Sequence, residues 1–265
     1  MLSLRQSILV LKPSVLPRGS FMFFFVAQKW GSHRTVVFLF GGCLLACSSQ
    51  VSTAAETLPL LVSEDFTEGM ERWQTTDPDE NQPFWKVVEV EREGRPNRVL
   101  RVTGKSNYEP PYRSPHSIAL LRDVVVGDFE LTLEMQSTDH VSGNHRDLCL
   151  FWGYQDPAHF YYVHFGAKAD PHACQIFIVD DAARTKITVD EATGTPWTNG
   201  WHHVKVVRNV GDGNMRVYFD DMKKPLMTAR DKTFAWGQIG VGTFDNHGNF
   251  DDIKLYGVAV EEKTE

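Results

Sequence analysis

Acidic residues are missing from the first 55 positions: Glu56 is the first, and all 34 Asp and Glu lie from there onward. Five of the 27 Lys and Arg (Arg5, Lys12, Arg18, Lys29 and Arg34) precede Cys47, so the remainder sets 22 basic residues against 34 acidic ones, a net charge of −12. Such an excess removes nucleic acid from the expected partners, because holding a phosphate backbone needs clustered positive charge. Cysteine is scarce, with only Cys149 and Cys174 beyond Cys47. Neither a Cys-x-x-Cys nor a His-x-x-x-His spacing occurs, and the chain has no Gly-rich phosphate loop and no Gly-x-Ser-x-Gly elbow. Nucleotide cofactors, Ser or Cys nucleophiles and regularly spaced zinc motifs are left without sequence support. Helical periodicity is absent as well: no stretch of ten or more residues repeats its apolar positions every 3.6 residues.

Long apolar runs are also lacking. The longest, Val36 to Ala46, has the length of a signal-peptide core and follows Lys29 and Arg34. It is too short to span a bilayer as a stable helix. Leu44-Leu45-Ala46-Cys47 followed by Ser48-Ser49 resembles a bacterial lipobox, in which the cysteine is lipidated and becomes the new N-terminus. Cleavage after Ala54 or Ala55 is the competing reading. The expectation is a targeting segment over 1–47, a small polar tether over 48–57 and one domain over 58–260. The chain would be exported, as a periplasmic or cell-surface lipoprotein anchored at Cys47 or as a secreted protein. A lipid anchor or signal segment would be its only contact with membrane.

What is present is a series of about a dozen short runs rich in β-branched and aromatic residues, separated by turn-forming residues every 8–12 positions. Leu58–Phe66, Trp85–Val90, Val99–Thr103, Ile118–Leu121 and Phe129–Met135 are the first of them. His202–Arg208 alternates apolar and basic residues, and Gly211-Asp212-Gly213 turns it into Met215–Phe219, a hairpin signature. Gly237–Phe244 and Phe250–Tyr256 end the series. This spacing predicts an all-β sandwich with no second domain.

The middle of the chain carries the most chemistry. Leu148–Gln155, Phe160–Phe165 and Gln175–Val179 read as a three-stranded meander closed by Lys186–Val189, and the stretch from Gly143 to Val189 holds four of the ten histidines. If Tyr161, Val163 and Phe165 face the core, alternation turns Phe160, Tyr162 and His164 to the other side. Two of Trp152, Tyr154 and Gln155 would join them. With His145, Arg146, Asp147, Asp170 and His172 nearby, Tyr154, Tyr162 and His164 give the mixture of aromatic platforms and convergent polar groups that sugar recognition uses. Cys149 and Cys174 would begin the first and third of these strands, about 9–10 Å apart for a strand spacing of about 4.8 Å. A disulfide needs Cα atoms within about 7 Å, so two buried free thiols are expected.

The strand order resembles the concanavalin A-like lectin/glucanase jelly roll. It runs Gly127–Met135, Trp201–Val206, the hairpin ending Val217–Asp221, then Gly237–Thr243 closing into Phe250–Leu255. Laminin G-like modules and the 3-keto-disaccharide hydrolase domain of exported bacterial proteins are the nearest types. The resemblance spans roughly residues 60–257 and implies a two-sheet antiparallel jelly-roll sandwich. In it Trp201, Trp236 and Phe250 would fill the space between sheets, and Gly240 and Gly242 would allow close backbone packing. It further implies carbohydrate or glycoconjugate binding on a concave sheet face. Alternatives are a glycoside-processing hydrolase of the 3-keto-disaccharide type or a structural or adhesion module without a small-molecule site. Glucanases of this fold carry Glu-x-Asp-x-Glu on one strand; here Glu130-Leu131-Thr132-Leu133-Glu134 keeps the spacing but lacks the central Asp. The fold often holds structural Ca2+ near the chain ends, which points to Asp65 and Asp251 as ligands.

Overall fold

A computed structural model describes residues 58–79 and 83–261. The expected targeting segment and tether, with Cys47, fall outside the described residues. The described part is all-β apart from one 3-10 turn, Gly143–His145. No helix among these residues is long and apolar enough to cross a membrane.

Sixteen strands form two antiparallel sheets. The larger contains β1 (Leu60–Glu64), β3 (Trp85–Arg92), β4 (Arg95–Thr103), β6 (Val126–Ser137), β11 (Thr188–Asp190), β12 (His202–Arg208), β13 (Asn214–Phe219), β14 (Met227–Arg230) and β16 (His247–Ala259). Its order is β11-β14-β13-β12-β6-β16-β4-β3, with β1 also paired to β16. The smaller contains β2 (Trp73–Thr75), β5 (Ser117–Leu121), β7 (Cys149–Asp156), β8 (His159–His164), β9 (Gln175–Asp180), β10 (Thr185–Lys186) and β15 (Gln238–Thr243). Its order is β10-β9-β8-β7-β15-β5-β2. The chain passes repeatedly between the sheets, so β15 lies between β7 and β5 and β16 between β6 and β4. This is the two-sheet antiparallel jelly-roll sandwich expected.

The strands form where period-2 alternation lets one face be buried. Along β6, Phe129, Leu131, Leu133 and Met135 are buried while Glu130, Thr132 and Glu134 are only half-buried. These four join Leu150, Trp152, Tyr161 and Val163 of the smaller sheet, and Phe165 just past β8, in one core between the layers. The expected closing strand Lys186–Val189 is split: Lys186 pairs with β9, whereas Thr188 has crossed to the larger sheet beside β14. Phe250 fills the core as expected, but Trp201 and Trp236 do not. Trp201 lies outside it beneath the Arg92 guanidinium, 4.8 Å from its ring centre, and Trp73, Trp85 and Trp152 occupy the interior instead. Cys149 and Cys174 are free and buried.

Candidate functional site

The meander forms as β7, β8 and β9, and the parity of β8 is as expected: Tyr161 and Val163 enter the core, while Phe160 and Tyr162 join a second apolar cluster on the outer face of the smaller sheet. That cluster also takes Ile118, Leu120, Cys149, Phe151, Tyr154, Phe177 and Val179. Simple alternation would send Tyr154 inward with Trp152. Gly153, at φ 58°, adds a bulge that returns Tyr154 to the outer face, and the β7–β8 register shifts there. Tyr154 then stacks on Phe160 with ring centres 5.2 Å apart.

This outer face is filled by its own side chains. Tyr162 is fully buried, and Tyr154 and His164 are each only 6% exposed. Tyr162 stacks between Phe151 and Phe177, and its hydroxyl accepts Arg184 Nη1–H at 3.0 Å. Burial pushes the Tyr162 and Tyr154 phenols well up from their ordinary value. Phe244 covers His164 at 5.2 Å, and the Arg184 guanidinium lies 4.5 Å above Phe244. These residues present little surface to a ligand.

The other residues expected at the site separate into two sets. Asp147 and His164 meet: Asp147 Oδ2 lies 3.0 Å from His164 Nε2. The contact is out of line for a hydrogen bond, so Nε2 is buried without a hydrogen-bond partner. Asp147 Oδ1 accepts the Thr243 hydroxyl at 2.9 Å. His164 Nδ1 lies 3.0 Å from the His172 carbonyl, an acceptor only, so Nδ1 carries the proton. His172 is exposed and held by Asp170 Oδ1, which accepts its backbone N–H at 2.6 Å. Arg146 turns away from Asp147, as successive extended residues do. Its guanidinium donates to Ser137 Oγ and to the carbonyls of Ser137 and Thr198, and it lies 5.8 Å over the Trp197 ring. His145 is exposed in the 3-10 turn.

An accessible concavity lies beside this face, on a segment that alternation does not mark. The loop Lys105–His116 encloses about 660 Å³ lined by Asn107, Tyr108, Glu109, Tyr112, Arg113 and His116, among others. Ser117 Oγ accepts the Ser106 N–H, and the His116 ring donates to the Tyr108 carbonyl at 3.2 Å. The Arg113 carbonyl accepts the Arg184 N–H at 3.3 Å, tying the loop to the turn after β9. Tyr112 packs on the outer cluster, and Tyr108 adds to the upward shift of the Tyr154 phenol. Only the pair of tyrosines in a Pro-rich loop signals this site in the sequence.

Glu130 and Glu134 share the outer face of β6. Glu134 is held by His203 Nδ1 at 2.8 Å and Arg92 Nη2 at 3.4 Å, and Glu130 lies 4.0 Å from Lys205 Nζ. Asp251 is buried and accepts from Arg92 Nη1 at 3.0 Å and Asn97 Nδ2 at 2.7 Å. Asp65 accepts the N–H and hydroxyl of Thr67, bonds that hold its carboxyl below the usual range. A guanidinium beside Asp251 and a turn closed on Asp65 do not fit a calcium cage, which needs six to eight oxygens. Calcium therefore carries no further argument.

No protein-family model matches the chain, and no curated protein matches it. Solved structures do. The chain is similar to the carbohydrate-binding module CBM66 from Bacillus subtilis, at 18% identity and TM-score 0.48 over 71% of this chain and 97% of that one. It is similar to a Bacillus subtilis protein of unknown function with a galectin-like fold, at 10% identity and TM-score 0.48 over 78% and 99%. The cellulose-induced protein Cip1 is a third, at 15% identity and TM-score 0.48 over 75% and 98%.

Proposed function

We propose that this protein binds carbohydrate in the concavity formed by the Lys105–His116 loop beside the outer face of the smaller sheet. The observation that carries this reading is the lining. Two half-buried tyrosines stand beside Asn107, Glu109, Arg113 and His116 in a space of about 660 Å³. That volume falls within the range of about 300–1,000 Å³ usual for small-molecule sites. Tyrosine rings offer an apolar face to sugar C–H groups, and the charged and amide groups offer donors and acceptors to hydroxyls. The meander residues Tyr154, Tyr162, His164 and Asp147 then serve as the packed floor on which the loop rests. Arg146 and His145 stand apart from it.

Glycan-array screening followed by calorimetric titration of the full chain tests the reading. Tyr108→Ala and Arg113→Ala are each expected to weaken binding about tenfold or more, a change of about 1.4 kcal/mol. Their melting temperatures should stay near that of the parent chain. A chain that binds no glycan, or variants that bind as well as the parent, would sink the proposal.

The basic-then-apolar segment ending at Cys47 further supports export with a lipid anchor. Metabolic labelling with a fatty-acid analogue should mark the parent chain and not Cys47→Ser.

A further inference from the structure

We infer that Cys149, His164 and Asp147 form a binding site for a borderline divalent transition ion, Zn2+ foremost, beneath the outer face of the smaller sheet. Among the described residues this is the group of three whose Cys Sγ, His ring nitrogen and carboxylate oxygen all lie within 4.8 Å of one another. The topology builds it from two strands: Asp147 and Cys149, two residues apart, share a face, and Cys149 pairs directly across from His164. An ion about 2.0–2.3 Å from each ligand atom fits a span of this size.

A second observation is the buried and unpartnered His164 nitrogen. The His164 side chain is 8% exposed and that of Asp147 7%, yet Nε2 has no hydrogen-bond partner although Asp147 Oδ2 is 3.0 Å away. Close approach without donor–acceptor alignment is the geometry that two ligands of one shared ion take. Both are braced from behind. His164 Nδ1–H donates to the His172 carbonyl, and Asp147 Oδ1 accepts from Thr243, the outer contacts that fix metal-bound histidines and carboxylates.

A Cys-His-Asp nucleophile relay does not fit the same atoms. A relay uses two ring nitrogens, one facing the acid and one facing the nucleophile. Here Nδ1 is committed to a backbone carbonyl, which leaves Nε2 alone. Charge favours the ion instead: a thiolate and a carboxylate balance a divalent cation. Thiolate, imidazole and carboxylate together suit Zn2+ better than Mg2+ or Ca2+. The site lies deeper than the tyrosine-lined concavity and does not depend on carbohydrate binding.

The test uses the full chain without a histidine tag. Purified in the absence of chelator, it is expected to carry about one Zn2+ per chain by mass spectrometry. The chelator-stripped chain should gain melting temperature on adding Zn2+, and adding Co2+ should give a thiolate-to-metal charge-transfer band. That band should vanish in Cys149→Ser, which separates this thiol from Cys43, Cys47 and Cys174. Thr243→Val, which leaves all three ligands in place, should weaken Zn2+ binding about 10–100-fold. This variant keeps the proposal testable if Cys149→Ser folds poorly. Absence of bound Zn2+ with no Co2+ charge-transfer band in the parent chain would overturn it. Retention of the band by a folded Cys149→Ser would overturn it equally.

Discussion

Tyr161 shows how one side chain joins the two layers. Its ring stacks on Trp152 within the core, while its hydroxyl donates to Asp231 Oδ1 and accepts the Phe234 N–H at 2.9 Å. Burial, with Asp231 adding, pushes the phenol up to about 12, so it stays protonated and able to donate throughout the neutral range. Arg208, itself buried, completes the node: it donates to the carbonyls of Gly213, Asp231 and Phe234 and lies 5.3 Å over the Tyr161 ring. Tyr161→Phe keeps the ring packing and leaves both hydroxyl partners without their bond. The expected loss of stability is about 1–3 kcal/mol. A lower urea midpoint at unchanged slope would register it, whereas an unchanged midpoint would mean that water replaces the hydroxyl without penalty.

At the scale of elements, β15 determines how the outer face of the smaller sheet fills. Ile239 and Val241 point to the core, so Gly240 and Gly242 fall on the outer side, where β5 and β7 flank them. A Cβ at Gly242 would come 2.2 Å from the Ser117 carbonyl oxygen and 2.8 Å from Phe151 Cε2. The glycine is thus what lets Phe151 lie across β15. Gly242→Ala must move a strand or the ring, and about 1–3 kcal/mol of destabilisation is expected. A thermal melt checks this; a melting temperature equal to the parent's would show that the strand yields freely.

The strands were legible in the sequence wherever alternation ran for five residues or more, as in β6, β8 and β12. Three features escaped for physical reasons. β14 is only four residues long, the Gly153 bulge breaks the period at Tyr154, and Lys186–Val189 is divided between sheets. The site was legible as chemistry and not as exposure. The residue types of the meander were right for a polar-aromatic face, but burial there depends on the Phe244 and Arg184 side chains and on a loop more than 30 positions upstream of Asp147. None of these shares a periodic pattern with β8.

For the whole described domain, the decisive fact is a single core. Trp73 and Trp152 from the smaller sheet and Trp85 from the larger one lie in the same cluster, together with residues from both ends of the chain's described span, Val62 and Leu255. Separating the sheets exposes all of these at once, so neither layer retains an apolar face covered by the other. The outer cluster offers no independent anchor, since Ile118, Phe151 and Tyr162 project from the very strands whose inner faces make the core. The domain should therefore unfold in one transition. Tryptophan fluorescence, to which the core residues Trp73, Trp85 and Trp152 contribute, and far-UV circular dichroism, which reports both sheets, are expected to give coincident urea curves. A fluorescence change completed before the dichroism signal is lost would show that the sheets part while each remains paired. The smaller sheet would then owe its persistence to the outer cluster rather than to the sandwich.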